Sequence, residues 1–189
     1  QAIPNDVKIT AFMGIVDNGA GNLNHPGDPY SDYGGDIGIE VRGNTSDWLS
    51  PKKSYSVQLR DAFGEDLDAP LLGMPAESDW TLLASYFDKT LLNNTLTFHL
   101  ARAMGRYAPR TRDVEVVLNG QYLGVYQLTE QVEVGENRLD ITEMEPEDTT
   151  GEAVTGGYLL ETDERLEQNS EPGFRTSRRR PIVIKDPEP

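Results

Sequence analysis

The chain has 189 residues, with 17 Lys and Arg against 32 Asp and Glu, a formal net charge of −15. That balance excludes a general nucleic-acid binder, which needs a basic footprint to neutralise phosphates, and disfavours an anionic membrane surface. A hydrophobic share of 37% and a charged share of 26% fit a globular protein. No apolar run reaches the roughly 18 residues of a membrane span, so no membrane insertion is expected, and the absence of cysteine excludes disulfides, thiolate zinc sites and thiol catalysis.

Val7 to Ile15 reads as a strand. Asp17 to Gly35 then gathers Asn, Asp, Gly and Pro into a long loop. Across residues 17–36, Asp17, Asn18, Asn22, Asn24, Asp28, Asp32 and Asp36 offer oxygens suited to calcium, although the spacing is not that of an EF-hand and ordinary loop chemistry also accounts for them. Gly34-Gly35-Asp36-Ile37-Gly38 is glycine-rich enough to approach phosphates through backbone N–H groups, but it matches neither a P-loop nor a dinucleotide fingerprint. Ile37, Ile39 and Val41 alternate as a half-buried strand does, and Tyr55, Val57 and Leu59 repeat the pattern.

Two basic sites flank the turn between those strands: Arg42-Gly43-Asn44-Thr45-Ser46 closes one, and Pro51-Lys52-Lys53-Ser54-Tyr55 opens the next. Alternation places Lys53 on the face of Tyr55, Val57 and Leu59 and turns Lys52 the other way. An ammonium on an apolar face needs a partner, either a phosphate or a carboxylate, unless it lies at the strand end and reaches water along its stem. Arg42 presents the same choice.

Asp79 to Ser85, with Trp80, Leu82 and Leu83, is a further extended segment. The best helix runs from Asp88, a suitable N-cap, to Met104, with Gly105 as the C-cap glycine. Leu92, Leu96, His99, Leu100 and Ala103 share one face, expected to pack on the sheet, with Leu92, Leu96 and Leu100 against Val57, Val116 and Tyr126. Val114 to Leu118 and Tyr122 to Thr129 flank Asn119-Gly120, the strongest short-range hairpin signal. Glu130-Gln131 follows that strand directly and either rims a site or ends the sheet. Gly157 to Glu161 and Pro181 to Lys185 are short strands. Between Glu130 and Glu171 there are 14 acids and two bases, Arg138 and Arg165, a pattern typical of a solvated face. Glu143 to Gly151 reads as an exposed loop. The two histidines, His25 and His99, support neither a Ser–His–Asp arrangement nor a helical metal pair. These elements predict an α+β fold: one domain over 1–189, an antiparallel hairpin-rich sheet with one main helix.

The ordered series Arg42–Ser46, Pro51–Tyr55, Leu71-Leu72-Gly73-Met74-Pro75, Asp79-Trp80, Tyr107–Arg112, Leu118–Tyr126, Thr129-Glu130-Gln131, Asn137–Ile141 and Gly156–Leu160 resembles the CotH kinase family of spore-coat proteins. The resemblance spans residues 37 to 163. It implies the N-terminal lobe of an atypical protein kinase, ATP with a divalent metal such as Mg, and transfer of the γ-phosphoryl to Ser or Thr of a protein substrate. Lys53, and after it Lys52, then become phosphate-binding candidates, with Arg42 as a second charge, Tyr126 beside the base, and Glu130 at the rim. Residues 89 to 104 hold no glutamate to orient the lysine, leaving Asn93, Asn94 or a carboxylate elsewhere. The resemblance also implies that the family domain continues into a helical lobe with a Trp-Asp metal-binding segment, for which these residues offer no counterpart. An isolated chain of this kind is expected to need the remainder of its kinase domain for catalysis. The competing reading is a non-catalytic interaction or adhesion module of an exported protein, with calcium in the 17–36 loop. Either reading suits an extracellular, cell-surface or spore-coat location.

Overall fold

The computed structural model describes residues 2–43, 45–142, 144, 148–151, 153–163, 166 and 172–187. Asn44 of the first basic turn, and parts of the Glu143–Gly151 loop and of the acidic stretch up to Glu171, lie outside them. The chain forms two compact units, Gln1–Gln131 and Val132–Pro189.

The first unit contains β1 (Ile9–Ile15), β2 (Tyr33–Arg42), α1 (Thr45–Leu49), β3 (Ser54–Arg60), β4 (Ala69–Leu71), β5 (Met74–Glu77), β6 (Asp79–Leu83), α2 (Asn93–Ala103), β7 (Thr111–Leu118) and β8 (Gln121–Glu130). Six strands form one antiparallel sheet in the order β1-β2-β3-β6-β8-β7. Its register explains its two faces, because paired residues of neighbouring strands point the same way. One row crosses the sheet as Ile9–Ile39–Val57–Trp80 and another as Val41–Tyr55–Leu82–Leu128. These side chains form the core, closed over by Leu71 and Met74 of the β4–β5 hairpin. The intervening row, Glu40–Ser56–Thr81–Thr129, is polar and faces the other way.

Asn119 and Gly120 form the expected two-residue turn between β7 and β8. Both adopt positive φ, 50° and 79°, as a type I′ hairpin requires. The glycine-rich run Gly34–Gly38 lies inside β2, where Gly34, Gly35 and Gly38 pair with Gly14, Met13 and Thr10 of β1. It is sheet and not the phosphate-approaching loop that its composition suggests.

The helix departs from expectation at its start and in its orientation. Asp88 caps a preceding turn: its carboxylate accepts from the N–H groups of Thr90 and Asn93, and α2 begins only at Asn93. These bonds hold the Asp88 carboxyl below its ordinary pKa, the Thr90 hydroxyl contributing most. The other end is as predicted: Gly105 at φ 71° donates to the Arg102 carbonyl and Arg106 to the Ala101 carbonyl, the paired bonds of a Schellman motif.

The expected leucine packing is overturned. Leu92, Leu96 and Leu100 are 59%, 57% and 51% exposed. The sheet presents Gln127 to the helix, and its amide donates to Thr95 Oγ1 at 2.5 Å and to the Leu91 carbonyl, and accepts from Asn94. A buried amide must be satisfied. The polar side of α2 therefore turns inward, with Phe98 and Ala101 half-buried beside it, and the leucine stripe turns outward.

The second unit holds a short 3₁₀ turn at Ala153–Thr155 and the strands β9 (Leu159–Glu161), β10 (Gly173–Arg175) and β11 (Pro181–Asp186), paired antiparallel as β10-β11-β9. Thr176 and Arg180 close the β10–β11 turn through backbone bonds, so Arg178-Arg179-Arg180 sits at a hairpin tip.

Candidate functional site

The candidate residues gather around the start of β3, and the structure separates them into three settings. β3 begins at Ser54, so strand alternation does not extend to the two lysines. The expectation that Lys52 points away from the aromatic face is therefore incorrect. β6 ends at Leu83, opposite Gln127, and beyond that point β8 has no neighbour on its β6 side. Lys52 occupies this gap. Its ammonium donates to the Val125 carbonyl and stands 4.2 Å from the centre of the Tyr126 ring. The Tyr126 ring in turn stacks on Tyr55, with centroids 6.2 Å apart. Burial lowers the Lys52 pKa, since a cation is disfavoured where water is excluded. Burial, followed by the neighbouring Tyr55, pushes the Tyr126 phenol up to about 12.

Lys53 is held differently. Its ammonium lies 2.9 Å from Asp47 Oδ1 and also donates to the Asp47 carbonyl, which ties β3 to α1. Asn5 donates to the other Asp47 oxygen at 3.2 Å. Beside this pair opens a hollow of about 460 Å³, lined by Ile3, Val41, Asp47, Lys53, Tyr55 and Leu118 among others. Lys53 thus shares a side with Tyr55, as alternation suggested, but its charge is matched by a carboxylate that sequence reasoning did not single out. Only the position of Asp47 two residues into α1 hinted at it.

Arg42 is exposed, and its guanidinium reaches Ser56 at 3.4 Å. Ser56 belongs to the polar row, so Arg42 stands on the sheet face opposite Tyr55 and Tyr126 and does not join Lys52. Glu130 is no rim residue. Its register partner is Trp80, its side chain is fully buried, and its carboxylate is bound by Arg110 Nε at 2.5 Å and by the Arg110 N–H at 2.8 Å. It closes the end of an apolar row through an ion pair that spans the approach to β7.

In the 17–36 loop Asp17 and Asp28 serve the loop's own shape, whereas Asp32 ties it to the β4–β5 turn. Asp28 accepts from Asn18 and from the His25 N–H, which holds its pKa down, and Asp32 accepts from the Leu72 N–H. Among the described residues no three His, Cys, Asp or Glu side chains converge on a common point. Among them, too, no helix is long and apolar enough to cross a membrane.

The lysine-bearing turn, the Tyr-containing strand pair and the Asn-Gly hairpin lie within a segment, residues 39–185, that matches the family described as CotH kinase protein. The match covers most of the chain, and the protein belongs to the CotH kinase family. No curated protein sequence matches it.

Proposed function

We propose that this chain is the nucleotide-holding part of a CotH-type atypical protein kinase, the antiparallel sheet and α2 corresponding to the smaller lobe of a kinase fold. The observation that carries the reading is Lys52: among the described residues this ammonium has no carboxylate partner, and it rests on a paired aromatic surface. A desolvated cation without a counter-charge is a natural receptor for a phosphate oxygen. Lys53, already neutralised by Asp47, takes the supporting role of fixing α1 and the turn. This reverses the order in which the sequence ranked the two lysines. Tyr126 and Tyr55 supply an apolar wall beside the phosphate.

The fit to MgATP is one-sided. The cation that would meet the phosphates is in place, whereas the described residues gather no carboxylates that would hold the metal. Phosphoryl transfer requires both, together with a positioned acceptor hydroxyl. On this reading the described residues serve nucleotide binding, and the metal-holding half of the chemistry lies outside them. The reaction proposed for the protein is transfer to a Ser or Thr of a protein substrate, in an exported or spore-coat setting.

Titration of the chain with a fluorescent ATP analogue, with Mg or Mn, tests the reading. Lys52→Ala should weaken binding by about tenfold or more, equivalent to roughly 1.4 kcal/mol, and Lys53→Ala by less. Equal affinity in wild type and Lys52→Ala removes Lys52 from the site. Incorporation of label from ATP into a generic acceptor protein by this chain would contradict the division of labour proposed.

A further inference from the structure

Two Asn-Gly pairs occur in the chain, Asn18-Gly19 and Asn119-Gly120, and both are exposed. In this dipeptide the backbone can react with a side chain. The amide nitrogen that follows Asn reaches the Asn side-chain carbonyl, and glycine puts no Cβ in the way. Sequence and exposure do not separate the two pairs. Their hydrogen bonds do.

At the first pair both reacting groups are held. The Asn18 side-chain amide donates to the Leu23 carbonyl at 3.1 Å and to the Asp28 carboxylate at 2.9 Å. The Gly19 N–H, which would have to attack, donates to Asp17 Oδ1 at 2.9 Å. The Asn18 N–H is bound as well, by Asn24 Oδ1 at 2.8 Å, so the backbone entering the pair is fixed. At the second pair neither group is held. A two-residue hairpin closes through its flanking residues, here Leu118 and Gln121, and leaves the central N–H groups unpaired. Among the described residues nothing bonds the Asn119 side chain or the Gly120 N–H. A Cβ placed on Gly120 would meet nothing within 4 Å, so the nitrogen stands in open space.

We propose that Asn119 is a site of spontaneous covalent modification, converted to aspartate and isoaspartate without an enzyme. The Gly120 nitrogen attacks the Asn119 side-chain carbonyl carbon and gives up its proton. The bond from that carbon to the side-chain nitrogen breaks, and ammonia leaves behind a cyclic imide. Water then opens the ring. Attack at the side-chain carbonyl gives aspartate, and attack at the backbone carbonyl gives isoaspartate, whose backbone runs through the former side chain. Nothing is oxidised or reduced. Either product sets a new carboxylate on the hollow that Lys53 and Asp47 also line. Isoaspartate, in addition, inserts a methylene into the backbone of a turn built for two residues.

The test is incubation of the full chain in mildly alkaline buffer, followed by peptide mapping for the mass gained when an amide NH2 is replaced by OH. Asn119 should convert about tenfold or more faster than Asn18, where bonds to Leu23, Asp28 and Asp17 must break first. In urea the two rates should converge. The double variant Asp17→Ala/Asp28→Ala should speed conversion at Asn18 and leave Asn119 unchanged, which a general loosening of the fold cannot do. The proposal is overturned by equal rates at the two pairs in the folded chain, by faster conversion at Asn18, by conversion of Asn119 in urea alone, or by an Asn18 rate that the double variant does not move.

Discussion

The ammonium of Lys52 stands 4.2 Å from the centre of the Tyr126 ring, at the place where β6 stops and β8 continues with only β7 beside it. One side chain there does two things: it satisfies the Val125 carbonyl and covers the face of a buried phenol. Lys52→Met keeps the stem and deletes the charge, so the carbonyl loses its donor. The expected loss of stability is about 1–2 kcal/mol, from one hydrogen bond and one cation–π contact. Lys53→Met, which breaks a pair that is about one-third exposed, should cost only about 0.5 kcal/mol. Urea unfolding of the two variants checks the contrast, and equal losses would remove Lys52 from its special position.

Tyr126 makes alkaline stability a local property. Its phenol titrates near 10 in the unfolded chain and is pushed up to about 12 in the folded one, so the folded state retains the proton longer. The resulting stability is fully present below pH 10 and is lost as pH rises from 10 through 12. Tyr126→Phe should flatten part of that decline in urea midpoints and remove the last-titrating tyrosinate from the absorbance titration near 295 nm. Tyr55, also raised by burial, accounts for a residual slope.

Glu130 is a carboxylate at the end of an apolar row, tolerable because Arg110 binds it through both side chain and backbone. Arg110→Ala leaves that charge buried without its guanidinium, and the expected cost is about 3 kcal/mol. Replacing both residues together, as Arg110→Met/Glu130→Met, should recover most of the loss. Thermal unfolding of the single and double variants decides between an ion pair that is merely tolerated and one the fold requires.

Leucines in this chain are not equivalent. Leu59 has no exposed surface and belongs to the core, so Leu59→Ala should cost about 2–5 kcal/mol. Leu96→Ala removes a side chain that faces water and should change stability by no more than about 0.5 kcal/mol. Comparable losses at both positions would mean that the outward side of α2 is covered in solution.

What the sequence shows clearly is what local chemistry decides. The alternation of Ile37, Ile39 and Val41, of Tyr55, Val57 and Leu59, and the Asn119-Gly120 turn each depend on a few consecutive residues, and each is found where the pattern places it. The periodicity of α2 gave the right stripe but the wrong side, because what turns the helix is Gln127, a residue remote in sequence that needs partners for its amide. Alternation misplaced Lys52 because it assumed a strand two residues longer than β3. The burial of Glu130 was hidden for a similar reason: nothing near Glu130 announces Arg110. Tertiary partners of polar side chains leave no periodic signature.

β6 is five residues long and carries the whole connection between two parts of the sheet that are each built from near neighbours in sequence, β1-β2-β3 on one side and the β7–β8 hairpin on the other. Its two flanks are completed at very different moments in the life of the chain. β3 precedes it, so the partner for one flank is already synthesised when β6 leaves the ribosome. The other waits for β8, beyond α2 and β7. Throughout that interval Asp79–Leu83 is a nascent strand with an open row of amides and carbonyls and with Trp80 and Leu82 incompletely covered, the condition that templates pairing with another chain. The hazard in making this protein is concentrated in the time it takes to synthesise the residues from Ala84 to Glu130.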